Sequence, residues 1–204
     1  MIKQKEITNI ADREKVPNRT IDKDWVLGHF LNAFYSFEEN SRLFVFKGGT
    51  CLHKCYIENY RFSEDLDFTL LDENFVVDKS FIQKVIRRAE SESLIKFHIY
   101  TIKKQVSHDL PQGYEVKMNF WGANHNPNQR PLSSSRWQDY IKLDISFSEQ
   151  LFLPVIEKTI MHPFSDKDVI TSKATCYDLV ELLAEKIRAL NQRTHPRDVY
   201  DVWY

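Results

Sequence analysis

An α+β domain, mixing helices with a sheet, is what the chain predicts, and three observations carry that expectation. Four stretches, "DLDFTLLD", "IKFHIYTI", "YEVKMNF" and "YIKLDISF", alternate apolar and polar residues with the period of two that half-buries a strand. Three others, "TIDKDWVLGHFLNAFYSF", "DKSFIQKVIRRAESE" and "CYDLVELLAEKIRAL", repeat their apolar residues at helical spacing. The two kinds interleave along the chain before giving way to a run of strands and then helices, which excludes an all-α or all-β domain.

In order, residues 22–39 read as a helix behind capping residues, with Leu27, Phe30, Leu31 and Phe34 on one stripe. "RLFVF" is a short apolar run that meets Gly48-Gly49, a buried strand, and "TCLHKCYI" then opens a helix. "DLDFTLLD" is a strand with Leu66, Phe68 and Leu70 on one face and Asp65, Asp67 and Thr69 on the other. A helix capped by Asp78 carries Phe81, Ile82, Val85, Ile86 and Ala89. Two strands joined by a turn around Pro111-Gln112-Gly113 come next, then a loop over "GANHNPNQRPLSSSR". "YIKLDISF" is the last predicted strand, and helices fill the remainder, the final one started by Pro196. The organisation expected is a core over 1–170 and a C-terminal helical segment over 171–204. No glycine or proline follows the last apolar residues, so either further chain is expected beyond Tyr204 or the chain is an unusually short one.

With 42% hydrophobic and 13% aromatic residues the chain buries a proper core, which excludes disorder. Lys and Arg number 28 against 29 Asp and Glu, so bulk charge selects neither a polyanion nor a membrane surface. No apolar run approaches the ~18 residues of a membrane helix. The polar N-terminal residues are not a signal peptide, and a cytoplasmic protein follows. Cys51 and Cys55 form a C-x3-C that no second pair answers, so the three cysteines, Cys176 included, read as buried reduced thiols rather than a zinc site.

The polar faces hold the chemistry. Asp65 and Asp67 lie two apart on a strand and share one face, about 7 Å apart at Cα. Such a pair grips hard cations that favour oxygen ligands; on its own it is more often an ordinary solvated edge. Asp144 occupies the polar face of another strand, and if the two strands are neighbours three carboxylates meet, which is costly without a metal. Gly48-Gly49-Thr50, between strand and helix, is either a tight turn or a niche where backbone amides and a hydroxyl approach a phosphate. Arg61 and Ser63 reach a phosphate or cap a turn. Lys186 falls in the middle of the apolar arc of Leu182, Leu183, Ile187 and Leu190 on a wheel of about 100° per residue. A lysine there either snorkels or faces an anion, whereas Arg188 lies on the solvated side. Asp198, in the first turn of the last helix, suits the helix dipole.

Together, "IDKDWVLGHFL", "FVFKGGTCLHK", "RFSEDLDF", "KLDIS", "LLAEKIRAL" and "RDVYDVW" resemble the abortive-infection nucleotidyltransferase toxins of the AbiEii/AbiGii type, from about residue 21 to 203. The resemblance implies a polymerase-β-like nucleotidyltransferase fold, a mixed sheet flanked by helices. It implies Mg²⁺, a nucleoside triphosphate, and the toxin half of a toxin–antitoxin or phage-defence pair. It assigns Gly48, Gly49 and Thr50 to the phosphate loop, Asp65, Asp67 and Asp144 to the metal, Lys186 to the triphosphate and Asp198 to the late acidic position. Relatives carry alanine where Cys51 stands, and they continue past Tyr204 with further helices. The expected acceptor is an RNA 3′ end such as that of tRNA, with Arg87, Arg88, Lys96, Lys103 and Lys104 as a basic patch or a solvated face. The alternatives are transfer to a small molecule of the antibiotic type or to a protein, or a silent nucleotide-binding module.

Overall fold

The structure, a computed structural model, describes residues 2–107, 110–125, 130–147, 149–192 and 195–204. Helix α1 (Gln4–Glu14) buries Ile7 and Ala11 and was not expected, because its apolar residues are too few to set a period. Helix α2 (Asn18–Tyr35) begins behind Pro17, earlier than the expected 22. Asp22 is no cap: buried within α2, it accepts the amide of Ala123 at 2.7 Å. The expected helix also breaks at Ser36, and α3 (Glu38–Leu43) carries the chain into β1 (Phe44–Lys47). The glycine pair starts α4 (Gly48–Cys51), which widens at once into a π-helical turn, Leu52–Tyr56.

Strand β2 (Asp65–Leu70) follows, then α5 (Lys79–Ser93), whose Asp78 cap accepts the Phe81 amide at 2.8 Å. Strands β3 (Lys96–Ser107) and β4 (Leu110–Trp121) are longer than predicted. Pro111, Gln112 and Gly113 lie inside β4, with Pro111 opposite Val106 and Gly113 opposite Gln105, so the predicted turn at those residues is corrected. The loop predicted over 122–136 holds a 3₁₀ turn, Ser134–Arg136, and its residues 126–129 lie outside the described ones. After β5 (Tyr140–Ser146) come two strands that sequence missed, β6 (Ile156–Thr159) and β7 (Lys173–Cys176), each four residues and too short to show a period. Cys176, expected in a helix, ends β7; α6 (Leu179–Gln192) and α7 (Pro196–Trp203) complete the chain.

Among the described residues the strands form one mixed sheet in the order β3-β4-β5-β2-β1-β7-β6. The α+β expectation holds. Leu66 and Phe68 turn to the face covered by α2 and α5, where Phe34 stacks on Phe68 at 4.9 Å and Phe44 on Phe81 at 5.5 Å. Helix α2 is buried on nearly all sides from Asp24 to Tyr35, so it is the central post of the core rather than a surface helix. That arrangement leaves the opposite face of β2 and β5 for polar side chains.

One buried polar knot fixes α2. Asp166 accepts Trp25 Nε1–H at 3.1 and 3.2 Å and stands 3.1 Å from His29 Nε2 and 3.2 Å from His162 Nε2. Burial alone would raise the Asp166 carboxyl; bonds from His162, His29 and Trp25 hold it well below the usual range, so both rings donate to it. Asp166→Ala is expected to leave these donors without that acceptor and to cost about 3–5 kcal/mol, read as a lower urea midpoint at constant m-value.

Candidate active site

Strand pairing decides what the sequence left conditional. Strands β2 and β5 are parallel neighbours, with Asp67 directly opposite Asp144 and Asp65 opposite Lys142. On the other side Lys47 of β1 faces Asp67. The acidic face is therefore set by register: alternation along β2 and β5 points Asp65, Asp67 and Asp144 away from the aromatic core together. Burial, then the nearby Asp144 charge, raises the Asp67 carboxyl to about 6, and the same causes raise Asp65. Lys142 Nζ lies 2.7 Å from Asp144 Oδ2, a cation already among these carboxylates. Hard-oxygen donors that disfavour one another's ionisation, with an ammonium drawn among them, fit a divalent cation.

Gly48 and Gly49 close in from the side. Gly48 has φ +77, and a methyl group on its Cα would overlap the Asp67 carboxylate. A Cβ on Gly49 would meet Ser63 Oγ at 3.0 Å and Arg61 Nη2 at 3.1 Å. The two glycines thus let the backbone run against the acidic pair and its neighbours. Gly48→Ala is expected to cost about 1–2 kcal/mol through its left-handed backbone and to displace Asp67. Urea unfolding should read that cost as a lower midpoint. Thr50 takes a different role from the one expected: it is fully buried, and its hydroxyl donates to the Asp65 carbonyl at 2.5 Å. It ties α4 to the start of β2 and offers its hydroxyl hydrogen to no phosphate.

The C-terminal helices supply the far wall. Lys186 Nζ is 2.9 Å from Asp201 Oδ2 and 3.8 Å from Asp198 Oδ1. Arg61 grips Asp201 with two bonds, Nε at 2.6 Å and Nη2 at 2.7 Å, and Tyr60 donates its hydroxyl to the same carboxylate at 2.6 Å. Burial would raise Asp201, but the bonds from Arg61, Tyr60 and Lys186 outweigh it and hold the carboxyl low. The apolar arc expected around Lys186 is only partly covered: Leu182 is buried, but Leu183 and Ile187 are 43% and 46% exposed, and α6 buries Glu181 as well. Glu181 accepts the amides of Phe152 and Leu153, which explains its burial.

A cavity of about 230 Å³ gathers Gly49, Arg61, Ser63, Asp65, Asp67, Asp144, Lys186 and Asp198, so eight of the ten residues singled out from sequence share one space. Gly48 lines an adjoining cavity of about 280 Å³ that Asp67 and Lys186 also border; Thr50 lines neither. Sequence reading missed Lys142 and Arg197 in the first cavity, and Lys47, Glu149 and Glu185 in the second. Lys47 pairs with Glu149, lies 3.7 Å from Glu185, and has its pKa lowered by burial. Asp201 was missed too, although its signal was visible: three residues after Asp198, it lies on the same helix face.

The model of the nucleotidyl transferase AbiEii toxins, of type IV toxin–antitoxin systems, matches residues 29–204. The chain belongs to the AbiEii family. Among solved structures it is similar to MenT4, the nucleotidyltransferase toxin Rv2826c of Mycobacterium tuberculosis H37Rv, at 19% identity and a TM-score of 0.63 over 96% of this chain and 62% of that one. It is also similar to JHP933 of Helicobacter pylori, at 16% identity and a TM-score of 0.56 over 91% of this chain and 65% of that one. At these identities the likeness is one of fold, and the chain spans less than two thirds of the length of either. No curated protein sequence matches it. Among the described residues of this AbiEii chain, no helix is long and apolar enough to cross a membrane.

Proposed function

We propose that the protein transfers a nucleoside monophosphate from a triphosphate to an acceptor hydroxyl and releases pyrophosphate, as the toxin of a bacterial toxin–antitoxin pair acting in the cytoplasm. The observation that carries this reading is the in-register pairing of Asp67 with Asp144 beside Asp65, in a cavity closed by Gly49 and Lys186. Asp65, Asp67 and Asp144 are the residues that would hold Mg²⁺, which when bound neutralises phosphate charge and favours an ionised acceptor oxygen. Gly48 and Gly49 leave room for the phosphates against the backbone. Lys186, oriented by Asp201, and Arg61 and Ser63 beside Gly49 face the negative charge that grows on the leaving pyrophosphate. Asp144 takes the proton of the attacking hydroxyl. The oxygen of that acceptor hydroxyl forms the new bond to the α-phosphorus as the bond to the bridging oxygen breaks and pyrophosphate leaves.

The acceptor is an RNA 3′ end such as that of tRNA. Arg197 and Lys142 at the cavity, and Lys103 and Lys104 on β3, give a phosphate backbone cations to follow. Two members of the expected basic patch are engaged elsewhere, Arg88 with Glu92 at 2.6 Å and Lys96 with Glu90 at 3.9 Å. A cognate antitoxin restrains the enzyme. The test incubates the protein with each labelled triphosphate, Mg²⁺ and, in separate arms, total RNA, total protein and small alcohols, beside Asp65→Asn. Label is expected in RNA with the wild type alone. Label in protein or alcohols reassigns the acceptor, and equal label with the variant removes the assignment. Co-expression with the adjacent reading frame should relieve growth arrest.

A further inference from the structure

Behind the glycine loop, three sulfurs meet. The Sγ atoms of Cys51, Cys55 and Cys176 all lie within 4.8 Å of one another, none in a disulfide, at 0%, 7% and 0% exposure. Sequence spacing relates only Cys51 to Cys55. The third thiol arrives through the fold, because β7 pairs with β1 in parallel and sets Cys176 opposite Phe46, just ahead of α4. Cys51 and Cys55 stand at i and i+4, the spacing by which a helix turns two metal ligands to one side. The π-helical turn that follows Cys51 and contains Cys55, Leu52–Tyr56, is a local departure of the kind that concentrates at functional sites.

A disulfide joins two sulfurs at about 2 Å and leaves the third idle. One ion bonded to all three at about 2.3 Å sets the sulfurs somewhat under 4 Å apart, within the span observed. We propose that Cys51, Cys55 and Cys176 form a three-thiol binding site for a soft cation of filled d shell, such as Zn²⁺, Cd²⁺ or Cu⁺. Binding releases the thiol protons to solvent and leaves one net negative charge with a divalent ion. Hydrogen bonds from Cys176 and Cys51 already draw the Cys55 thiol down, and Lys54 and Lys158 bring positive charge to it, while burial pushes the Cys51 thiol up, so the bound ion itself has to hold the sulfurs ionised. The bound ion would pin α4, whose first residues are Gly48 and Gly49, to β7.

The test titrates Cd²⁺ into the full, freshly reduced chain in Mg²⁺ buffer and follows the thiolate-to-cadmium charge-transfer band. The band is expected to saturate at one equivalent. Cys176→Ser should weaken Cd²⁺ binding by about a hundredfold or more, beyond the 10–100-fold seen for partners outside the ligand shell. Cys51→Ala, a substitution a helix tolerates, should do the same if the first variant does not fold. Asp67→Asn should keep the band, which separates this site from the carboxylates. Absence of a band from protein with three titratable thiols would overturn the proposal. So would wild-type affinity in a folded cysteine variant, or a band lost with Asp67→Asn.

Discussion

Asp67→Asn is expected to lower nucleotide transfer by about a thousandfold or more while making the metal-free protein more stable. The first effect follows from the proposed role of Asp67, as a ligand for an ion worth several kcal/mol to the transition state. The second follows from the site's own repulsion. Asp67 sits beside Asp144 on one side and Asp65 on its own strand, and its carboxyl is raised by burial and by their charges to about 6. Above that pH the fold holds an anion it disfavours. A shift of this size corresponds to about 2 kcal/mol once partial exposure to solvent is allowed for. For a chain of this length the amide should raise Tm by about 4–8 °C.

The pH dependence carries the sign. A carboxyl whose pKa is higher in the folded than in the unfolded state binds the extra proton on folding between 3.8 and about 6. Its contribution is fully present below 3.8 and is lost as pH rises through about 6. Metal-free wild type should therefore lose stability across that window, and Asp67→Asn should flatten the loss. Added Mg²⁺ should restore the wild type and leave the variant unmoved. Thermal melts at pH 5 and pH 8, with and without Mg²⁺, read all of this. A variant less stable than wild type at pH 8 without metal would remove the repulsive account of the site.

The acidic face was legible because a strand reports its two faces through alternation, and "DLDFTL" and "YIKLDIS" alternate cleanly. What alternation does not carry is pairing partner or register. Asp144 met Asp67 only when β5 proved to lie parallel to β2 with no offset. Lys142 escaped for the same reason: on its strand it reads as a solvated lysine, and only the register opposite Asp65 makes it part of the site. The glycine pair was legible as a departure from helix and strand preferences, but its use was not. Gly48 is needed because Asp67 fills the space a side chain would take. Thr50 shows the opposite limit, since a hydroxyl one residue further on turns inward to a main-chain carbonyl. Cys176 lay beyond reach because a strand of four residues has no period to read.

Asp201→Ala is expected to cost about 3–5 kcal/mol, the second large effect, and on the proposed role of Lys186 it reaches catalysis through that lysine. The carboxylate accepts from Tyr60, Arg61 and Lys186, and its side chain is fully buried. Removing it leaves a buried ammonium and a guanidinium without that counter-charge, which is far costlier than losing a surface pair. Helix α7 should loosen, because Arg61 and Tyr60 fasten it to the segment before β2. Lys186→Met separates the roles: Asp201 keeps Arg61 and Tyr60, so stability should fall by about 1–2 kcal/mol while transfer falls about a hundredfold. The acid limb distinguishes Asp201 from Asp67. Its pKa is held low in the fold, so its contribution is present above 3.8 and is lost as pH falls through the depressed value. Wild type should weaken below pH 4 where Asp201→Ala does not, and urea unfolding at pH 3 and pH 7 measures the difference. Equal loss in both proteins would place the acid sensitivity elsewhere and leave Asp201 without its part in holding Lys186.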